Sequence, residues 1–322
     1  VIHRGPHARG PHARNSCGAT RHPLASAQRH GNDFRARVSR FTPAGGKGMF
    51  RQPTAHDSQA RSAFVIAALV FHGAVRNVRK THHNAIVGLL INIGQSLALL
   101  AGFYLSFEFF GMRSSAVRGD YLLYLMSGIF VFMTHVKTAG AVFGAEGPAS
   151  PMMMHAPMNT TIAILSAALG ALYVQLLSAL VIVGAYHAAV KPVVIDEPVG
   201  VLLMLLLAWF SGIGVGMVFV GMRPWSPRFA SLLKQGYSRI NMLASGKMFL
   251  ANNMPAALRD LFDWNPLFHI IDQGRGYLFL NYVPHYTNAT YALVFALVCL
   301  VIGLMGEFFT RRRASASWSA WY

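Results

Sequence analysis

Tyr237, Arg239 and Lys247 stand in a stretch that is otherwise apolar enough to enter a membrane. A cation in hydrocarbon is costly unless it meets an anion, a carbonyl or water. Arg239 and Lys247, near opposite ends of the stretch, are therefore candidates to contact an anionic solute along a polar pathway. Gln235, Ser238, Asn241 and Ser245 add to the polarity. Packing against other helices accounts for the same residues, and both readings stay open. Lys137 lies near the end of another apolar stretch, where its long stem can carry the amine out to the interface. Met152-Met153-Met154-His155 falls between Pro148, Pro151 and Pro157. Flexible thioether side chains suit a partner's groove, and resting on the membrane surface is the alternative. Arg76, Arg79 and Lys80 recur at helical spacing on one face, as cations set among lipid headgroups do.

Catalytic patterns are harder to find. Ser245-Gly246-Lys247-Met248 has neither the upstream glycine nor the Ser/Thr after lysine that a phosphate-binding loop requires, and Gly45-Gly46-Lys47-Gly48 fails as well. If ATP drives this protein, another chain must bind it, and no cofactor is expected in this one. His82 and His83 are adjacent and point about 100° apart on a helix. His135, His155, His187, His269 and His285 are scattered singly, so no metal site is expected. No nucleophile-elbow pattern appears.

The elements that must hold these residues follow from composition. Of 322 residues, 54% are hydrophobic and only 12% charged, about half the ~25% charge of an ordinary soluble domain. Apolar runs longer than about 18 residues mark membrane helices, and six are expected, at 86–110, 121–143, 162–186, 199–221, 233–251 and 289–309. The run at 62–75 is too short to span and reads as an interfacial helix. The segment 252–288 is long but aromatic and aliphatic. Asn253-Met254-Pro255 and Asn265-Pro266 each place an asparagine cap before a first-turn proline. A pair of short re-entrant helices before the sixth span is the expectation.

Net charge is +17, a value that elsewhere suggests nucleic acid. Here part of it sits in residues 1–48, which carry nine basic residues against Asp33 alone, and the rest flanks apolar runs. Leader aside, eleven basic residues fall on the side of the N-terminus and five, Arg113, Arg118, Lys191, Arg259 and Arg275, on the other. That asymmetry places both termini in the cytoplasm. The leader repeats Arg-Gly-Pro-His-Ala and cannot build a core. Every methionine lies at or after Met49, and a translation start at Met49 is expected. The chain then divides into the leader (1–48), a cytoplasmic or interfacial segment (49–85), an all-α six-span membrane domain (86–310) and a cytoplasmic tail (311–322). Cys17 and Cys299 are too few for a disulfide framework.

The order of these elements, with Ser245-Gly246-Lys247-Met248-Phe249, Met254-Pro255, Leu258-Arg259-Asp260 and Trp264-Asn265-Pro266-Leu267-Phe268-His269 running on to Asp272 and Arg275, resembles the permease subunit of type-2 ABC exporters, particularly those for capsular and related polysaccharides. The architectural resemblance covers roughly 60–312, and its specific part about 245–275. Lys247 stands where the family pattern has an apolar residue. The resemblance implies a homodimer in the inner membrane, bound to two copies of a separate ATPase that holds ATP and magnesium. Met152, Met153, Met154 and His155 would then be the coupling element. Tyr237, Arg239 and Lys247 would line the substrate pathway, and the helix bearing Arg76, Arg79 and Lys80 would frame the entry of a lipid-linked glycan. A membrane-embedded transferase acting on lipid-linked sugars or acyl groups, or a permease for lipids or drugs, is the alternative. The expected topology is open to single-cysteine labelling in intact cells. Positions beside Arg118, Lys191 and Asp263 should react from outside, and positions beside Met153 and Arg228 should not; external labelling at Met153 would overturn it.

Overall fold

The computed structural model describes residues 59–81, 85–109, 120–145 and 160–319, all of them within one compact unit, Ser58–Tyr322. The basic leader, His82, His83 and the Met152–Met154 and His155 segment lie outside the described residues. Nine α-helices and no strand are found among those described: α1 Gln59–Thr81, α2 Ala85–Phe109, α3 Tyr121–Phe143, α4 Thr160–Ala189, α5 Pro198–Met222, α6 Pro227–Ala244, α7 Ala256–Phe262, α8 Pro266–Leu278 and α9 Ala289–Ser319. A 3₁₀ turn, Ala251–Asn253, precedes α7.

Five helices (α2, α3, α4, α5 and α9) are long and apolar enough to cross a membrane, consistent with a multi-pass membrane protein. Their starts follow from local chemistry. Asp120 caps α3 by accepting from the Leu122 amide at 3.1 Å. Pro198 begins α5, where its missing N–H has no intrahelical partner to lose. The helix α9 continues through Arg311–Arg313 to Ser319, so the expected tail is an extension of the last helix.

In the stretch 233–251 the helix differs from expectation. It begins earlier, at Pro227 behind a Ser226 cap, and ends at Ala244. Its 18 residues rise about 27 Å, slightly under the ~30 Å hydrocarbon thickness. Gly246, at φ +67°, ends it: a left-handed residue just past the C-cap turns the chain away, and glycine takes that conformation without Cβ strain. Downstream, Asn265 caps α8 as expected, accepting from the Leu267 amide at 3.0 Å. Asn253 does not cap α7, because it is held in the 3₁₀ turn and Pro255 takes the cap position. Arg275, counted from sequence among the five basic residues on the side away from the N-terminus, is fully buried on α8.

The core is organised around α5, which packs on α3, α8 and α9. Small residues set the spacing. A Cβ on Gly212 would lie 2.6 Å from the His135 carbonyl of α3, and one on Gly214 2.6 Å from the Ala296 carbonyl of α9. Close backbone approach is the usual source of helix association in membranes, where apolar side chains gain little by leaving lipid. In α1, Gly73 faces Ser166 of α4, whose hydroxyl donates to the Val70 carbonyl at 3.1 Å. Phe64 and Phe71 project outward from α1.

A methyl group at Gly246 would meet Phe268 Cδ2 at 2.3 Å as well as forcing a left-handed residue. Gly246→Ala should therefore lower stability by about 1–2 kcal/mol for the backbone alone, read as a lower thermal midpoint in detergent. Gly94→Ala, where nothing lies within 4 Å, should be neutral or stabilising by up to about 1 kcal/mol. Equal effects at the two sites would refute this account of the helix end.

Candidate functional site

Three buried polar assemblies and one partly open, polar-lined cavity are built on the helices around α6. The first closes the break after it. Arg275 is 0% exposed, and its guanidinium donates to the carbonyls of Phe249 (2.7 Å), Gly246 (3.2 Å) and Lys247. It lies 4.0 Å from the Tyr124 ring centroid, and its Nε has no partner. Gly128 makes room for it, since a Cβ there would come within 2.9 Å of the guanidinium. Asn265 ties the start of α8 to the end of α6, donating to Asn241 Oδ1 at 2.9 Å and the Ala244 carbonyl at 2.8 Å.

The second assembly surrounds Asp272, one turn from Arg275. Its carboxylate accepts from the Tyr282 hydroxyl (2.6 Å), the Thr287 hydroxyl (2.9 Å) and the Ala251 amide (3.3 Å). Burial, and then the adjacent carboxylate, push the Tyr282 phenol well above its ordinary range, so it remains a donor. Nearby, His269 Nδ1 accepts from the Asn288 amide at 3.1 Å, which leaves Nε2–H to donate to the Asp263 carbonyl at 2.7 Å.

The third joins α3, α5 and α6. His135 contacts Ser211 Oγ through Nδ1 and the Tyr237 hydroxyl through Nε2, each at 2.8 Å. Ser211 gives its one proton to the Ala208 carbonyl at 2.9 Å. It must therefore accept from Nδ1–H, which makes Nε2 the acceptor for Tyr237. The chain of donors runs one way, from Tyr237 through His135 and Ser211 to a backbone carbonyl.

The fourth is a cavity of about 720 Å³ between α1, α2, α3, α4 and α6. Lys137, Lys234, Asn77, Gln95, Asn92, Gln175 and Ser238 are its polar lining. Lys137 donates to Gln95 Oε1, and Lys234 Nζ sits 5.5 Å from the Phe143 ring centroid. Glycines 88, 140, 144 and 170 leave the space open.

The expected pathway residues meet different surroundings. Tyr237 is committed to His135. Lys247 lies beyond the end of α6, 1% exposed, donating to the Met242 carbonyl with its amine 3.8 Å from the Phe132 centroid and 4.9 Å from that of Phe103. Arg239 is on the exposed side of α6 beside exposed Ile240 and Leu243. Arg76 and Arg79 are exposed on α1. Sequence reasoning passed over His135 as a lone histidine and Asn92, Gln95 and Gln175 altogether. An amide or imidazole inside a span was the available signal.

Among the described residues no group of three or more His, Cys, Asp or Glu is placed to hold a metal. These assemblies hold helices, neutralise buried charge and present donors, which is the chemistry of binding and shape. No protein-family model and no curated protein matches the chain.

Removing the Tyr237 hydroxyl strands a buried imidazole nitrogen. Tyr237→Phe should cost about 1–3 kcal/mol, and a double-mutant cycle with His135→Ala should return a coupling of about 0.5–1.5 kcal/mol. Thermal unfolding in lipid nanodiscs measures both; additive effects would show that the two side chains do not act together.

Proposed function

We propose that the chain is the membrane-spanning permease subunit of an ATP-driven exporter of the type-2 ABC kind, moving a capsular or other lipid-linked polysaccharide across the inner membrane. In this reading it works as a homodimer with two copies of a separate ATPase, which binds ATP and magnesium. Both termini are cytoplasmic. The observation that carries the reading is the course of the chain after α6, where a short polar helix ends at Gly246 and the chain folds into the pair α7 and α8 before α9. With α6 counted as a crossing there are six spans, and α7–α8 is a re-entrant pair whose second helix packs on α3, α5 and α9.

Support also comes from α1, an amphipathic helix docked on α4 with cations Arg76 and Arg79 on its exposed side. Arg239 faces outward from α6 and is assigned to the substrate pathway. Tyr237 and Lys247 shape that pathway from behind, by fixing the pose of α6 and of the turn after it. The coupling element is assigned to Met152, Met153, Met154 and His155, on the connection between α3 and α4. A buried Met side chain contributes roughly 1.5–3 kcal/mol, so three docked on an ATPase would supply a large part of the contact.

Affinity purification of the full chain from native membranes should bring down an ATPase that carries a phosphate-binding loop. Met153→Asp should reduce that recovery at least tenfold while leaving the permease in the membrane fraction. Undiminished recovery would remove the loop from the coupling role, and absence of any ATPase partner from wild type would overturn the exporter reading.

A further inference from the structure

The cavity between α1, α2, α3, α4 and α6 holds two lysines that no carboxylate neutralises. Among the described residues lining it, none is acidic and none is aromatic. Lys137 has a neutral amide oxygen, Gln95 Oε1, as its acceptor, and Lys234 has the face of Phe143. An amine inside a helical membrane bundle is costly without a counter-charge, and two on one cavity repel each other as well. Lys247 and Arg275 show what this chain does with a buried cation it keeps: carbonyls and aromatic faces surround each one. Lys137 and Lys234 line open space instead.

A donor at the same wall is also unmet. Ser178 gives its proton to the Val174 carbonyl at 2.7 Å, so it accepts from Asn92 Nδ2 at 2.9 Å. That fixes the Asn92 amide, whose Nδ2 also donates to Gln175 Oε1 at 2.5 Å. Gln175 is thereby left with its Nε2 turned away from Asn92, without a hydrogen-bond partner in a side chain only 5% exposed. Two ammonium groups give the cavity a charge of +2 that no described lining residue balances, beside the neutral polar groups of Asn77, Asn92, Gln95, Gln175 and Ser238. Val78, Ile91, Val136, Ala141 and Val174 supply aliphatic wall. A phosphate oxygen cluster suits the donors, and an alkyl chain suits the aliphatic walls; no lining ring is present to stack a nucleobase.

We propose that this cavity binds the phosphate group of an amphiphile, with Lys137 and Lys234 as its counter-charges. Its volume of about 720 Å³ lies within the range of small-ligand sites, about 300–1,000 Å³. The cavity sits at the end of the bundle where α1 packs, level with the second half of α3 and the first halves of α2, α4 and α6. Its service as the entry point for a phosphate-linked substrate rests on the exporter reading; the binding site itself does not.

The test is lipid retention by the purified full chain in nanodiscs of phosphatidylcholine containing phosphatidylglycerol, read by native mass spectrometry. Wild type should retain phosphatidylglycerol over phosphatidylcholine, and Lys137→Gln and Lys234→Gln should each reduce that preference about fivefold, the factor for roughly 1 kcal/mol per cation. The double variant should show almost no preference. Gly140→Leu keeps both lysines and places its side chain toward the cavity, where nothing lies within 4 Å of an added Cβ, and should also abolish the preference. This second variant answers the question if the lysine variants fail to fold. Arg259→Gln, a cation stacked on Tyr286 at the other end of the bundle, should change nothing. Millimolar inorganic phosphate should not displace the lipid; full displacement would reassign the site to a free phosphate compound and overturn the lipid proposal. Equal retention of the two lipids by wild type, or a preference untouched by Gly140→Leu and the double variant, would overturn the site outright. Either result with ATPase recovery intact leaves the exporter reading standing, and lipid preference without an ATPase partner leaves the site standing alone.

Discussion

The guanidinium of Arg275 makes the break after α6 tolerable. A chain that leaves helical geometry inside a bundle exposes carbonyls that would otherwise each need a donor, and within hydrocarbon no water supplies one. Three such carbonyls, from Gly246, Lys247 and Phe249, converge on one planar fork of donors. Lysine, a point donor on a flexible stem, would not span them. The charge rests on the face of Tyr124, and Asp272, one turn away on α8, carries the opposite sign. Asp272 is itself held by Tyr282, Thr287 and the amide of Ala251. The turn, α8 and the start of α9 are thus one polar unit holding two opposite charges, and α8 can be buried on nearly all sides because most of that unit's polar atoms, Arg275 Nε excepted, find partners within it.

Placement of α6 depends on a different device. The helix makes few backbone contacts with its neighbours and has an exposed apolar side at Leu232, Leu243 and Ile240. Its register on the bundle comes from Tyr237, whose hydroxyl begins the donor chain through His135 and Ser211, and from Asn241, which meets Asn265. Both contacts are directional and lie more than a full turn apart, so together they fix rotation as well as position. Such a helix can move as a unit if either contact is released, whereas α5 and α9, interlocked through Gly214, Gly303 and Met217, cannot shift without opening backbone-to-backbone contacts.

Much of this was legible in the residues. Continuous apolar runs marked five membrane-length helices to within a few positions, because a long run has no competing reading. The Asn265-Pro266 cap was legible because capping chemistry is local. The end of α6 was not. Leu243 on one side of the break and Phe249 and Leu250 on the other keep average hydropathy high, and only the left-handed conformation of Gly246 reveals that the helix stops. The burial of Arg275 was not legible because its acceptors lie 26 to 29 residues earlier. His135 looked isolated for the same reason, with partners 76 and 102 residues away. Periodicity sees faces of one element; it is blind to which two faces meet.

Four cations of this bundle show how surroundings decide a role that residue type leaves open. Lys247 and Arg275 are enclosed by carbonyl oxygens and rings, so their charge is already answered and a ligand would have to displace protein atoms to reach them. Lys137 and Lys234 differ in that their nearest partners are an amide oxygen and a ring beside a cavity, which leaves most of their electrostatic field directed at open space. Binding energy for an incoming anion is available only where the protein has not already used it. On that physical ground the binding site proposed for this chain is the cavity flanked by α2 and α6, and the polar unit around Arg275, though richer in conspicuous residues, is the scaffold next to α6.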